Sequence, residues 1–192
     1  IIDVLPVNDA PVWLAASDFL QIFEDELLIV QNLMIQDVDA NSGLLRVVLE
    51  VGHGILSLHT AGGLFFEVDE VVPFRGLHAS PWQLEESRKY SPRLAFRGTL
   101  LDINRALRDL RYTPDLNWNS DNIEDVTLSF MVDDLGSTGS GDGGLTDEGS
   151  IRITVVGVND APVIEVLGSL LDEQELLGDR VSRKLISVAT KR

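Results

Sequence analysis

Apolar and polar residues alternate with a period of two along several stretches of this chain. Leu45, Val47, Leu49 and Val51 fall on one face of 44–51. Val126, Leu128, Phe130 and Val132 alternate with Thr127, Ser129 and Met131, and Ile151, Ile153 and Val155 form a third set. Such alternation predicts strands with one buried face. Shorter β-type runs occupy 12–16, 55–59, 64–68 and 94–97, and 111–114 is extended. Gly52-His53-Gly54 predicts a hairpin turn between 44–51 and 55–59, and Gly62-Gly63 a second turn. The period then changes: Leu100, Ile103, Leu107 and Leu110 follow 3–4–3 spacing, one face of a short helix that either Thr99 or Asp102 could cap. A single helix in a β chain is expected to cross one end of the fold and cover its core. The last two strands, joined by the Gly/Ser-rich segment 136–144, read as the closing hairpin of a β-sandwich.

A hexapeptide sets the domain organisation. Val7-Asn8-Asp9-Ala10-Pro11-Val12 recurs as Val158-Asn159-Asp160-Ala161-Pro162-Val163, an offset of 151 residues, about one domain length. A repeated interdomain linker explains it better than a turn sequence met twice. Residues 1–11 are then the end of a preceding repeat and its linker, 12–158 a complete module, and 159–192 a second linker with the truncated start of another repeat. Glu173-Gln174-Glu175-Leu176-Leu177 parallels Glu24-Asp25-Glu26-Leu27-Leu28, but no counterpart of Asp37-x-Asp39 follows it. The tail has too few strands to bury a core of its own.

Composition narrows the function. The formal net charge is −16, from 31 acidic and 15 basic residues, and no Lys/Arg stripe offers a footprint for nucleic acid. No apolar run approaches the ~20 residues of a membrane span. Cysteine is absent, which excludes disulfides, thiolate metal sites and cysteine catalysis. No pair of carboxylates stands in a recognisable catalytic arrangement, and the chain is read as a non-enzyme. An extracellular domain without disulfides needs another way to stiffen its joints. Calcium, which takes oxygen ligands from Asp, Glu, Asn and backbone carbonyls, meets that need.

Several carboxylates cluster at expected module ends. Glu24-Asp25-Glu26 places three acidic residues in sequence; at an effective dielectric of 20, two charges 4 Å apart repel by about 4 kcal/mol. Solvent would relieve that repulsion and a cation would reverse it. Asp37-Val38-Asp39-Ala40-Asn41-Ser42-Gly43 can turn two carboxylates toward one centre, as ion ligands or as a solvated turn. It is not an EF-hand loop, because Gly falls at loop position 7 and Val48 stands where a bidentate Glu belongs. His53 and His59 lack a neighbouring nucleophile or ligand motif and read as surface or turn residues. Residues 69–93 form a long irregular insertion, with Trp82 and Tyr90 set among alternating charges. It can pack on the domain or present a surface to a partner.

Together the linker, the Glu-Asp after it, Asp37-Val38-Asp39-Ala40, the run from Gly98-Thr99-Leu100 through Ile103-Asn104, Ala106-Leu107 and Leu110 to Tyr112-Thr113-Pro114, and Val132-Asp133-Asp134-Leu135-Gly136 resemble the cadherin-like tandem repeats of large RTX-type and other bacterial surface adhesins. The resemblance covers roughly 8–160. It implies an all-β, Greek-key β-sandwich of cadherin/immunoglobulin-like type, extracellular or at the cell surface, with calcium at the junctions between repeats. Carried onto this sequence, the proximal junction uses Asn8, Asp9, Asp37, Asp39 and Asp133 or Asp134. At the distal junction Glu24 or Asp25 meets Asn159 and Asp160. No central Asp-Arg-Glu motif of true cadherins occurs, and the 69–93 insertion is unusually long for such a module. The expected partners are adjacent repeats of the same chain, in a protein monomeric in solution; the alternative is recognition of carbohydrate or protein through 69–93.

Overall fold

A computed structural model describes residues 7–40, 43–67, 90–121, 124–136 and 143–162. The chain divides into two compact units, Ile1–Gly157 and Val158–Arg192. Of the second, 158–162 are described and contain neither helix nor strand; the expected second start at 163–192 lies outside the described residues.

The first unit is mostly β, with strands β1 (Val12–Leu14), β2 (Phe19–Phe23), β3 (Leu28–Ile29), β4 (Met34–Gln36), β5 (Leu44–Val51), β6 (Ile55–Leu58), β7 (Phe65–Phe66), β8 (Tyr90–Ser91), β9 (Arg93–Thr99), β10 (Leu110–Thr113), β11 (Val126–Asp133) and β12 (Thr146–Val156). Among the described residues one short helix, α1 (Leu100–Leu107), follows β9. The described strands form a six-stranded mixed sheet in the order β2-β12-β11-β5-β9-β7, a four-stranded sheet β3-β10-β6-β8, and a two-stranded ribbon β1-β4. Only the β12–β2 pairing in the six-stranded sheet is parallel.

The alternating positions do what their period requires. Leu45, Val47, Leu49 and Val51 are buried, as are Val126, Leu128, Phe130, Val132, Ile151, Ile153 and Val155. They join Leu56, Leu58, Leu110 and Tyr112 from the four-stranded sheet and Trp13 and Ile35 from the ribbon in one core. Each large aliphatic side chain so buried contributes about 1.5–3 kcal/mol. Helix α1 adds Ile103, Ala106 and Leu107 to this core. Its cap is Thr99, whose hydroxyl accepts the Asp102 N–H at 3.2 Å. β11 and β12 form the expected long antiparallel hairpin, from Val126 opposite Ile153 to Asp133 opposite Thr146.

The turn at 52–54 differs from expectation. β5 pairs with β11 and β9, whereas β6 pairs with β10 and β8, so Gly52-His53-Gly54 carries the chain from one sheet to another and closes no hairpin. Gly54 is required there: its φ is +79°, and a Cβ would lie 2.4 Å from the Thr113 carbonyl oxygen. β2 and β4 were not evident from periodicity. Met34-Ile35-Gln36 is only three residues long, and in Phe19–Phe23 the outward Phe19 and Phe23 are as apolar as the inward Leu20 and Ile22, so neither sequence shows an alternation to read. The β1–β4 ribbon rests on the large sheet through Trp13 and Phe130, whose rings are 4.8 Å apart.

Candidate metal centre

The ribbon brings separate acidic segments to one end of the first unit. Trp13 pairs with Ile35 and Val12 with Gln36, antiparallel, so the segment before β1 runs beside the segment after β4. Asp9 thereby lies alongside Asp39, and its backbone N–H donates to Asp39 Oδ2 at 3.0 Å. The Asp39 N–H in turn donates to Asp37 Oδ1 at 3.1 Å, an Asx turn that leaves Val38 83% exposed. Asp134 arrives from the end of β11. It is fully buried and densely bonded: Oδ1 accepts the N–H groups of Gly136 and Leu145, each at 2.8 Å, and Oδ2 accepts Asn8 Nδ2 at 2.5 Å.

Asp37, Asp39, Asp134 and Asn8 thus come from three stretches far apart in sequence. Burial holds the Asp37 carboxyl above its usual range, opposed by the backbone N–H groups of Asp39 and Ala40 and reinforced by the charges of Asp39 and Asp134. Asp37 Oδ2 is buried and accepts no hydrogen bond among the described residues. A buried carboxylate oxygen without a donor is costly. A hard cation is one physical remedy.

Asp133, the other candidate from this turn, points elsewhere. It lies opposite Arg46 in the β11–β5 register, its charge acts on that guanidinium, and its Oδ1 accepts the Leu135 N–H at 2.8 Å. On the same outer face Arg46 and Arg97 both grip Glu67, at 2.8 Å each, and the Arg46 bond holds the Glu67 carboxyl below its usual range. These charges form a surface network apart from the ribbon.

Glu24 and Asp25 lie in a turn after β2. The three adjacent carboxylates separate there, because Asp25 adopts φ +62° and redirects the chain. Glu24 is buried, with Oε2 accepting Asn119 Nδ2 at 3.0 Å, and Asp25 Oδ1 accepts the Asn117 N–H at 2.8 Å. Divergence relieves the repulsion expected from their adjacency. Asn159 and Asp160 belong to the second unit and are exposed.

Three polar residues of the 117–121 loop were not evident as partners: Asn117 bonds Asp25, Asn119 bonds Glu24, and Asp121 Oδ2 would be 2.8 Å from a Cβ on Gly157. Their alternation, polar at every second position of 117–121, was the available signal. Asp147, whose Oδ2 accepts the Trp13 N–H at 2.7 Å, was likewise not evident. An aspartate inside a strand is unusual enough to have flagged it. His53 is exposed and stacks on Trp118 with ring centroids 4.6 Å apart, while Trp118 packs against the core. Trp82 and the rest of 69–89 lie outside the described residues.

No family model matches this chain, and no curated protein does.

Among the described residues, no group of three or more His, Asp and Glu side chains is already gathered at metal-binding spacing. The donor set still fits calcium in kind: it is all oxygen apart from one amide nitrogen, and it carries three formal charges on Asp37, Asp39 and Asp134. Among the described residues no helix is long and apolar enough to cross a membrane.

Proposed function

We propose that residues 12–158 are a calcium-rigidified repeat module of a large extracellular or cell-surface adhesive protein, similar to the cadherin-like repeats of RTX-type adhesins. The observation that carries this reading is the buried, unbonded Oδ2 of Asp37, placed beside the charges of Asp39 and Asp134 at the end where the first linker copy enters. The sheets and their common core are read as a Greek-key sandwich, with the linker at one end and β12 leaving toward the second linker copy.

In this reading Asp37, Asp39 and Asp134 hold calcium through carboxylate oxygens, and Asn8 contributes its amide oxygen. With the Asn8 amide turned over, its Oδ1 takes the place of the nitrogen now 2.5 Å from Asp134 Oδ2. Two oxygens facing each other repel, and in this reading both turn to the ion. The ion neutralises mutually repelling carboxylates and fixes the linker against the module, stiffening the joint. Adjacent repeats supply the remaining ligands.

The expected result of adding millimolar calcium is a rise in melting temperature and a less flexible chain by small-angle scattering. At a free concentration a hundredfold above Kd, the linkage is about 2.7 kcal/mol. For a domain of this size that corresponds to a shift of roughly 5–11 °C. An unchanged melting temperature and scattering profile at 10 mM calcium, on the order of ten times a weak extracellular Kd, would remove the proposal.

A further inference from the structure

We infer that Asn104, on helix α1, is a positioning residue of the cation site: its side chain holds the ribbon strand that carries Asp37 and Asp39. The inference rests on the calcium reading and deepens it. Asn104 Oδ1 accepts the Ile35 N–H at 2.8 Å, and Asn104 Nδ2 donates to the Ile35 carbonyl oxygen at 2.8 Å. The carboxamide therefore acts as a third strand, one residue long, on the outer edge of β4.

The ribbon's register explains why one side chain can take both groups. In an antiparallel pair, opposed residues alternate between hydrogen-bonded and non-hydrogen-bonded rungs, and in the latter both residues turn their N–H and C=O away from the partner. Ile35 opposite Trp13 is such a rung. On one edge Ile35 presents both groups to Asn104; on the other the Trp13 N–H goes to Asp147 Oδ2 at 2.7 Å. A ribbon of three rungs is thus clamped at its middle rung from both sides.

Asp37 is two residues beyond Ile35, and Asp9 and Asn8 precede β1 on the neighbouring strand. Ile35 is itself 1% exposed, and Asn104 supplies the partners of both its backbone groups on that edge. The helix is a rigid base for the clamp, capped by Thr99 and anchored by buried Ile103 and Leu107. Asn104 touches no candidate ligand oxygen. Its effect passes through the ribbon backbone, which sets where the Asp37 and Asp39 carboxylates stand before any ion arrives.

The test uses the full chain with Asn104→Ala, Asn104→Asp and a control, Leu58→Ala, which truncates a buried side chain of β6 away from the ribbon. Asn104→Asp keeps the acceptor for the Ile35 N–H and loses the donor, so it serves if the alanine variant fails to fold. Calcium titration by calorimetry is read beside amide hydrogen exchange of 34–39 in chelator. Asn104→Ala is expected to weaken calcium binding about 10–100-fold, the range for residues that orient ligands without touching the ion, and to speed exchange at 34–39. Asn104→Asp is expected to fall between it and the wild type, and Leu58→Ala to leave the calcium Kd within about twofold. Unchanged affinity and exchange in both Asn104 variants would overturn the inference while calcium reading stands. So would an equal loss in Leu58→Ala, which would reduce the effect to general destabilisation. A wild-type chain that binds no calcium overturns both, and its exchange data then report a ribbon clamp with no ion to serve.

Discussion

Asp134→Ala is expected to cost about 3 kcal/mol or more of folding stability even in chelator, about 1–3 kcal/mol for each buried donor left unsatisfied, and to abolish calcium binding at the ribbon. The carboxylate is fully buried and takes the N–H groups of Gly136 and Leu145 and the amide of Asn8. With alanine there, two backbone donors and one side-chain donor face a void. Backbone N–H groups orphaned in this way cost more than the net worth of the bonds themselves. The loss is partly offset because Asp37 is relieved of a like charge. Asp134→Asn separates the two effects. It retains an oxygen for Gly136 and Leu145 and is expected to fold, yet without the charge its calcium affinity should drop. Urea unfolding in chelator and in millimolar calcium distinguishes them. If Asp134→Ala is as stable as the wild type in chelator, the buried hydrogen-bonded role assigned to this side chain is wrong.

Asp37→Asn is expected to act in opposite directions in the absence and presence of calcium. In chelator the ionised Asp37 carboxylate is a liability, since burial disfavours its charge and Asp39 and Asp134 repel it. Asparagine keeps an acceptor for the Asp39 N–H and removes the charge, so the calcium-free protein should become more stable. In calcium the same change removes a charged ligand. Affinity should fall by at least the ~10–100-fold seen for residues that only orient ligands, and the variant should lose most of the calcium-induced rise in melting temperature. A pH dependence accompanies this. Because the folded-state pKa of Asp37 is raised above the ordinary 3.8, the folded protein holds that proton more tightly than the unfolded chain. Its contribution therefore improves stability as pH falls from neutral through the raised pKa toward 3.8 and weakens it as pH rises. Glu67 has the opposite sign: held low by Arg46 and Arg97, it contributes stability above 4.5 that is lost on acidification through its folded pKa. The Asp37 component is isolated as the difference between wild type and Asp37→Asn, measured in chelator across pH 3.5–7, on the order of the range where displaced carboxyls titrate. A variant no more stable than wild type in chelator, with undiminished calcium response, would remove Asp37 from the site.

Much of the first unit was legible because long strands carry their own period. The buried face of 44–51 and the 126–155 hairpin follow from alternation alone, and the 3–4–3 spacing located the helix. The ribbon was not legible. β1 and β4 have three residues each, one inward, and what holds them is side-chain capture of backbone by Asn104 and Asp147. No local pattern encodes contacts 69 and 134 residues apart. The hairpin expected at 52–54 failed for a related reason. A Gly-rich turn between two β runs fixes a change of direction but not whether the second run returns to the same sheet.

The candidate site was legible in its residues and less so in its geometry. Asn8, Asp9, Asp37 and Asp39 were drawn together by motif, and the ribbon register supplies the physical reason they meet. The choice between Asp133 and Asp134 needed the structure, since adjacent residues at a strand end face opposite ways: Asp133 toward Arg46, Asp134 inward toward Asn8. At the other pole adjacency misled. Glu24 and Asp25 diverge at a positive-φ turn, and the side chains nearest Glu24 come from the 117–121 loop.

The measurement that bears most directly on the calcium reading is a crystal structure of this chain grown in millimolar calcium, with anomalous data collected to locate the ion. An anomalous peak is expected with oxygens of Asp37, Asp39 and Asp134 at about 2.3–2.6 Å, and the Asn8 amide oxygen turned to the ion. A calcium-grown crystal in which Asn8 still donates to Asp134, with no anomalous peak beside Asp37, would contradict it.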